Sequence, residues 1–188
     1  MNKTLCIIHT ETNGLHQTNN DVSKKILYSF ARLVKLDYII GHMDNNIFVI
    51  DKKVEQIIKP RCCNISKEIT EIHGISQSLA EQKGTDPLEV LTTFKNDIKK
   101  VDFIISHNVD FHMKTLISEA TRYNLNIDYN KYIIIDTFTF YHKYDYIRLV
   151  DLAKKFKIKK TNIPTVELIK DVFFALYSEY SKEIKSKN

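Results

Sequence analysis

Residues able to do chemistry gather in three stretches of this sequence. The first is His9-Thr10-Glu11, near the end of an apolar run that starts at Leu5 and stops at Asn13-Gly14. A short apolar run closed by a turn signal reads as a buried strand, which delivers its last side chains to a sheet edge. The second is His107-Asn108-Val109-Asp110-Phe111-His112, which follows another apolar run. The third is lysine-rich: Lys154, Lys155, Lys157, Lys159 and Lys160. Two imidazoles and one carboxylate, such as His9, His112 and Glu11, form a normal donor set for Zn²⁺, Fe²⁺ or Mn²⁺ if a fold brings them together. The lysines suit phosphate, and suit a solvated loop face equally well. Cys62 and Cys63 lack a second Cys/His pair at ligand spacing, which argues against a metal site there.

These residues need elements to position them. Residues 26–38 and 47–58 read as strands, rich in β-branched and aromatic side chains, around a turn at 41–46. With the first strand they make a three-stranded antiparallel opening that Pro60 ends. Ser66 can cap a short helix that stops at Gly74. Asp86 and Pro87 open an amphipathic helix over 87–100. Residues 102–106 and 132–137 read as buried strands, and 137–143, 148–156 and 164–182 as helices. The later strand-helix alternation gives an α/β class. Phe138, Phe140, Tyr141, Tyr177 and Tyr180 sit at helical spacings, mostly as core, with some free to stack bases or face a partner. His16, His42 and His142 read as surface or loop residues.

The chain has 188 residues, the length of one domain. Its net charge of +5 permits nucleic-acid binding without requiring it. No apolar run approaches a membrane span and no signal-peptide pattern opens the chain. Three cysteines, two of them adjacent, suit no disulfide framework and point to an intracellular, reducing compartment: cytoplasm or a viral replication site. The Lys, Asn and Ile bias is what AT-rich coding produces, as in a virus, phage or AT-rich bacterium.

The stretch ending Glu11-Thr12-Asn13-Gly14-Leu15 closely resembles the first motif of the DEDDh 3′→5′ exonucleases, in the ribonuclease H-like superfamily. That motif reads Asp-x-Glu-Thr-x-Gly-Leu, and His9 stands where its Asp belongs. The run Ile72-His73-Gly74-Ile75 resembles a second family stretch, with His73 packing beneath the site. His107-Asn108-x-x-Phe111 matches the family's second motif, but His112 replaces its metal-binding Asp. Asp136-Thr137 and the Leu149 to Leu152 stretch resemble later family segments. Counting back from the apolar end of the last helix puts Lys160 at the general-base position and Thr165 at the final metal Asp.

The resemblance implies a ribonuclease H-like exonuclease fold with a central five-stranded mixed sheet flanked by helices. It implies a single exonuclease-like domain over 1–180, with a tail at 181–188 expected to fray. Active members hold two Mg²⁺ or Mn²⁺ ions with four carboxylates, of which Glu11 alone is kept. The expectation is a catalytically inactive exonuclease-like protein without a resident metal. It would bind single-stranded nucleic acid, or serve as a structural subunit of a replication, transcription or RNA-processing complex. Asn13, His107, Asn108 and the five lysines would contact the strand. Lys160 with partly protonated His9 and His112 would attract phosphate in place of the metal ions. One alternative is an active 3′→5′ exonuclease whose divalent metal (Mg²⁺, Mn²⁺ or Zn²⁺) is held by His9, Glu11 and His112. Another is a protein-interaction scaffold with no nucleic-acid affinity.

Overall fold

The structure, a computed structural model, describes residues 3–45, 47–158 and 163–187, the side chains of His142, Ile184, Ser186 and Lys187 excepted. Five strands form one mixed sheet: β1 (Thr4–Thr12), β2 (Leu33–Asp44), β3 (Ile47–Ile57), β4 (Phe103–Ser106) and β5 (Ile133–Asp136). Their spatial order is β3-β2-β1-β4-β5. The β1–β2 and β2–β3 pairs are antiparallel, whereas β4 runs parallel to β1 and β5 parallel to β4. The α-helices are α1 (Lys67–His73), α2 (Gln77–Lys83), α3 (Pro87–Asp97), α4 (Val109–Arg122), α5 (Leu149–Lys155) and α6 (Thr165–Lys187).

The alternation of β1 divides the core. Cys6 and Ile8 pack with Tyr38 and Ile104 beneath α3 and α4, against Leu91, Phe94 and Leu116. Leu5 and Ile7 point the other way, with Ile39 and Ile105, onto Val166, Ile169 and Phe173 of α6. Because side chains alternate along a strand, His9 and Glu11 continue the row on the α6 side and Thr10 continues the row on the α4 side. Each fully buried Ile or Leu in these rows contributes on the order of 2 kcal/mol.

Local chemistry sets several boundaries as expected. Ser66 accepts a hydrogen bond from Ile69 N and caps α1, and Gly74 ends it in the left-handed conformation at φ 77. Asp86 caps α3 by accepting from Leu88 N, with Pro87 in the first turn.

Four expectations are corrected. Residues 26–38 are not one strand: Lys24–Ser29 form a 3₁₀ turn and β2 starts at Leu33. Tertiary contacts override strand propensity there, since Arg122 Nη2 donates to Leu27 O and Phe30 O at 2.6 and 2.9 Å. β2 continues through part of the expected turn, which lies at Asn45 with φ 46. The stretch after β5 is a series of turns, not a helix, with a 3₁₀ turn only at His142–Tyr144. Its first backbone groups are taken by side chains and strands: Thr137 N donates to Ser106 O, and Phe138 N to Asp136 Oδ1. β5 itself is an edge strand, so Ile133 and Ile134 are 55% and 40% exposed rather than buried. α6 spans Thr165–Lys187.

Candidate functional site at the carboxyl edge of the sheet

β1, β4 and β5 run parallel, so their carboxyl ends meet at one edge, where open α/β sheets hold ligands. His9 and Glu11 end β1, His107 and Asn108 follow β4, and Asp136 ends β5. His9 Nε2 lies 2.9 Å from Glu11 Oε1. The β1–β2 register sets Asp37 opposite His9 and Lys35 opposite Glu11. Lys35 Nζ lies 2.7 Å from Asp37 Oδ2 and 3.7 Å from Glu55 Oε2. Burial alone would push the Glu11 carboxyl up. The His9 hydrogen bond and the charges of His9, His73 and Lys35 outweigh it and hold Glu11 below the usual range. Asp37 goes the other way, because its burial outweighs Lys35.

Sequence reasoning passes over Asp37. The available signal was a lone acid inside the apolar run 33–40. Its Oδ1 and the Nδ1 of His9 are buried without a hydrogen-bond partner among the described residues. Such atoms are uncommon and costly.

His112 comes from the first turns of α4 and is 6% exposed. Its ring centre lies 4.9 Å from that of His9, edge-on. Thr10 N donates to His112 Nδ1 at 3.1 Å, so that nitrogen is an acceptor and Thr10 Oγ1, 2.8 Å away, donates to it as well. The proton therefore sits on Nε2. Burial, with the charge of His9 added, lowers the His112 pKa to about 3. With its pKa so lowered, the ring is neutral at physiological pH and adds no positive charge to the edge.

His107 and Asn108 hold the β4–α4 junction. Thr137 Oγ1 donates to Ser106 O at 3.1 Å and therefore accepts from His107 Nδ1 at 3.0 Å. Asn108 adopts the left-handed conformation at φ 62. Asp136 caps α4 from outside: Asn108 N donates to its Oδ1 at 2.8 Å and Val109 N to its Oδ2 at 3.0 Å. Asn13 is also spent internally, since its Oδ1 accepts from Arg32 N at 2.7 Å and its Nδ2 donates to Asn64 O at 3.3 Å. His73 closes α1, and its Nδ1 accepts from Ile75 N at 3.1 Å. His16 is not a simple surface residue: it stacks on Phe111 at 4.5 Å and its Nδ1 accepts from Ala31 N. His42 lies within β2, 2.9 Å from Asp51.

The remaining expected residues are more dispersed. Lys154 is exposed, 3.7 Å from Asp151, and Lys155 lies over the Tyr144 ring at 4.6 Å. Lys157 is exposed at φ 55. Lys159 and Lys160 lie outside the described residues. Thr165 opens α6, whose Val166 packs with Ile7 of β1. Asp110 is exposed and paired with Lys114, and Asp171 lies 3.5 Å from Lys170.

The edge does not fit a pair of hard divalent cations, which want several free oxygen ligands each. Glu11 is hydrogen-bonded to His9, Asp136 is committed to the α4 amides, and His112 offers nitrogen with Nδ1 already used. Among the described residues no group of three or more His, Cys, Asp or Glu side chains is arranged to hold a metal ion.

Residues 6–162 match the family model described as exonuclease, RNase_T. The chain belongs to this exonuclease family. The same domain shape is seen in solved exonuclease I structures. A product-bound exonuclease I superposes over 87% of the chain with a TM-score of 0.59 and 16% identity. The E. coli exonuclease I complex with a dT13 oligonucleotide covers 86% with a TM-score of 0.58 and 14% identity. Exonuclease I from Methylocaldum szegediense covers 86% with a TM-score of 0.54 and 15% identity. At these identities the likeness shows the exonuclease fold, with its mixed five-stranded sheet flanked by helices. The exonuclease-family chain spans about a third of these proteins, 34%, 32% and 32% respectively. No curated protein matches it by sequence. Among the described residues no helix is long and apolar enough to cross a membrane.

Proposed function

We propose that this chain is a degenerate DEDDh-type exonuclease domain that binds single-stranded nucleic acid without two-metal hydrolysis. The observation that carries this reading is the Glu11 environment. The retained acid faces His9 and Lys35 instead of a ring of carboxylates. On this sheet face the acids are already engaged, Glu11 by His9 and Asp37 by Lys35, which leaves fewer oxygens to recruit cations. One carboxylate so engaged cannot hold two Mg²⁺ ions against water.

The single-strand preference draws on likeness. An exonuclease I of the same fold is seen with dT13, and another structure pairs exonuclease I with an SSB C-terminal segment. Here Lys154, Lys155 and Lys157 are exposed and supply positive charge, and Lys159 and Lys160 extend the run in sequence. No resident cofactor is part of this reading. Binding would be to strand ends in an intracellular replication, transcription or RNA-processing assembly.

Fluorescence anisotropy of labelled single-stranded DNA and RNA, in EDTA and across a salt series, tests the reading. Affinity should fall steeply with salt, as phosphate contacts require. Replacing Lys157, Lys159 and Lys160 by Glu should abolish it. Unchanged affinity in that variant would remove the basic stretch from the account. No binding at any salt would leave the scaffold alternative.

A further inference from the structure

We propose that Tyr146 is a base-stacking platform on the rim of the candidate site, for a single strand bound there. This rests on the single-strand reading above and adds a residue to it. Tyr146 follows the turns after β5 and is 73% exposed. Its backbone is left-handed at φ 63. A bulky side chain there is a genuine outlier that Gly or Asn would relieve, and such strain persists where the surroundings enforce it.

The surroundings are identifiable. Tyr146 N donates to Phe138 O at 2.8 Å. The Tyr146 ring meets Phe138 edge-to-face at 5.3 Å, and Phe138 meets His107 in the same way at 5.2 Å. Two ring contacts therefore connect an exposed phenol to the His107 that follows β4 at the site edge. A planar ring held rigidly and open to solvent accepts any base on its face, whatever the sequence. Two residues on, Arg148 sits just before α5 with its side chain 80% exposed, 2.7 Å from Asp151. Lys154, also 80% exposed, lies nearly two turns further along. Asp145 and Asp151 share the stretch, so the surface is mixed with cations outermost. A stacking ring beside exposed cations suits a base with its phosphate.

The test measures affinity of wild type, Tyr146→Ala, Tyr146→Phe and Tyr146→Gly for an intact single strand and for one carrying abasic sites, with a Tm for each variant. Tyr146→Ala and Tyr146→Gly should bind the intact strand about 10-fold more weakly, and Tyr146→Phe should match wild type. Tyr146→Gly should keep its Tm, because it relieves the backbone. On the abasic strand the differences should vanish. Equal affinity of wild type and Tyr146→Ala for the intact strand would overturn the proposal and leave the single-strand reading standing. Equal losses on intact and abasic strands would also overturn it, by making the ring structural. A wild type that binds no strand would overturn the single-strand reading itself.

Discussion

The His112 ring is buried, neutral and hydrogen-bonded to Thr10, and its burial ties stability to pH. Its folded pKa is about 3, against an ordinary 6.5. Between those values the unfolded chain takes up a proton that the folded chain refuses. The stability it permits is full above pH 6.5 and drains as pH falls toward 3, by up to about 1.4 kcal/mol per pH unit. Urea titrations at about pH 7, 5 and 4 should show the loss in wild type, and His112→Gln should lessen it, with His16, His73 and His107, also lowered, keeping the remainder. Equal slopes in the two proteins would mean that His112 does not titrate as its burial dictates. The site residues were unevenly legible at this scale. The resemblance to the family's motifs marked the place of His9, Glu11 and His112 in the sequence. Asp37 was not marked, because what gathers it in is the cross-strand register with His9. Tyr146 was missed because its left-handed backbone depends on Phe138, eight positions earlier.

Elements carry the site through a few polar ties. Glu119 of α4 is almost wholly buried and holds Arg32 before β2, with Nε to Oε2 at 3.0 Å and Nη2 to Oε1 at 2.8 Å. It also accepts from Arg122 Nη1 at 3.1 Å. Arg122 in turn holds the 3₁₀ turn that replaced the expected start of the strand. Glu119→Ala would leave two partly buried guanidinium groups without their carboxylate. We expect a loss of about 3–5 kcal/mol in denaturant unfolding, with the m-value unchanged. A loss under about 1 kcal/mol would show the cluster to be solvated like a surface pair. Helices with local caps were legible: α1 from Ser66 and Gly74, α3 from Asp86 and Pro87. The stretch after β5 was not, because aromatic spacing alone cannot separate a helix from turns that pack Phe138, Phe140 and Tyr141 into clusters.

For the molecule as a whole, the α/β class with its antiparallel opening followed from the pattern of runs, and the five-stranded mixed sheet flanked by helices from the family resemblance; the strand order came only with the structure. So did the charge on the working edge. It depends on which side chains meet after folding, and here they meet as His9 with Glu11, Lys35 with Asp37, and Asp136 with α4. Those pairings underlie the central claim that an exonuclease-family domain has kept its frame and given up two-metal chemistry. The most direct test is degradation of end-labelled single-stranded DNA and RNA with Mg²⁺, Mn²⁺ and Zn²⁺ in turn, beside Glu11→Ala. We predict no degradation above the Glu11→Ala background with any of the three. Degradation by the wild type that disappears in Glu11→Ala would contradict the account and make Glu11 a working ligand of an altered metal site.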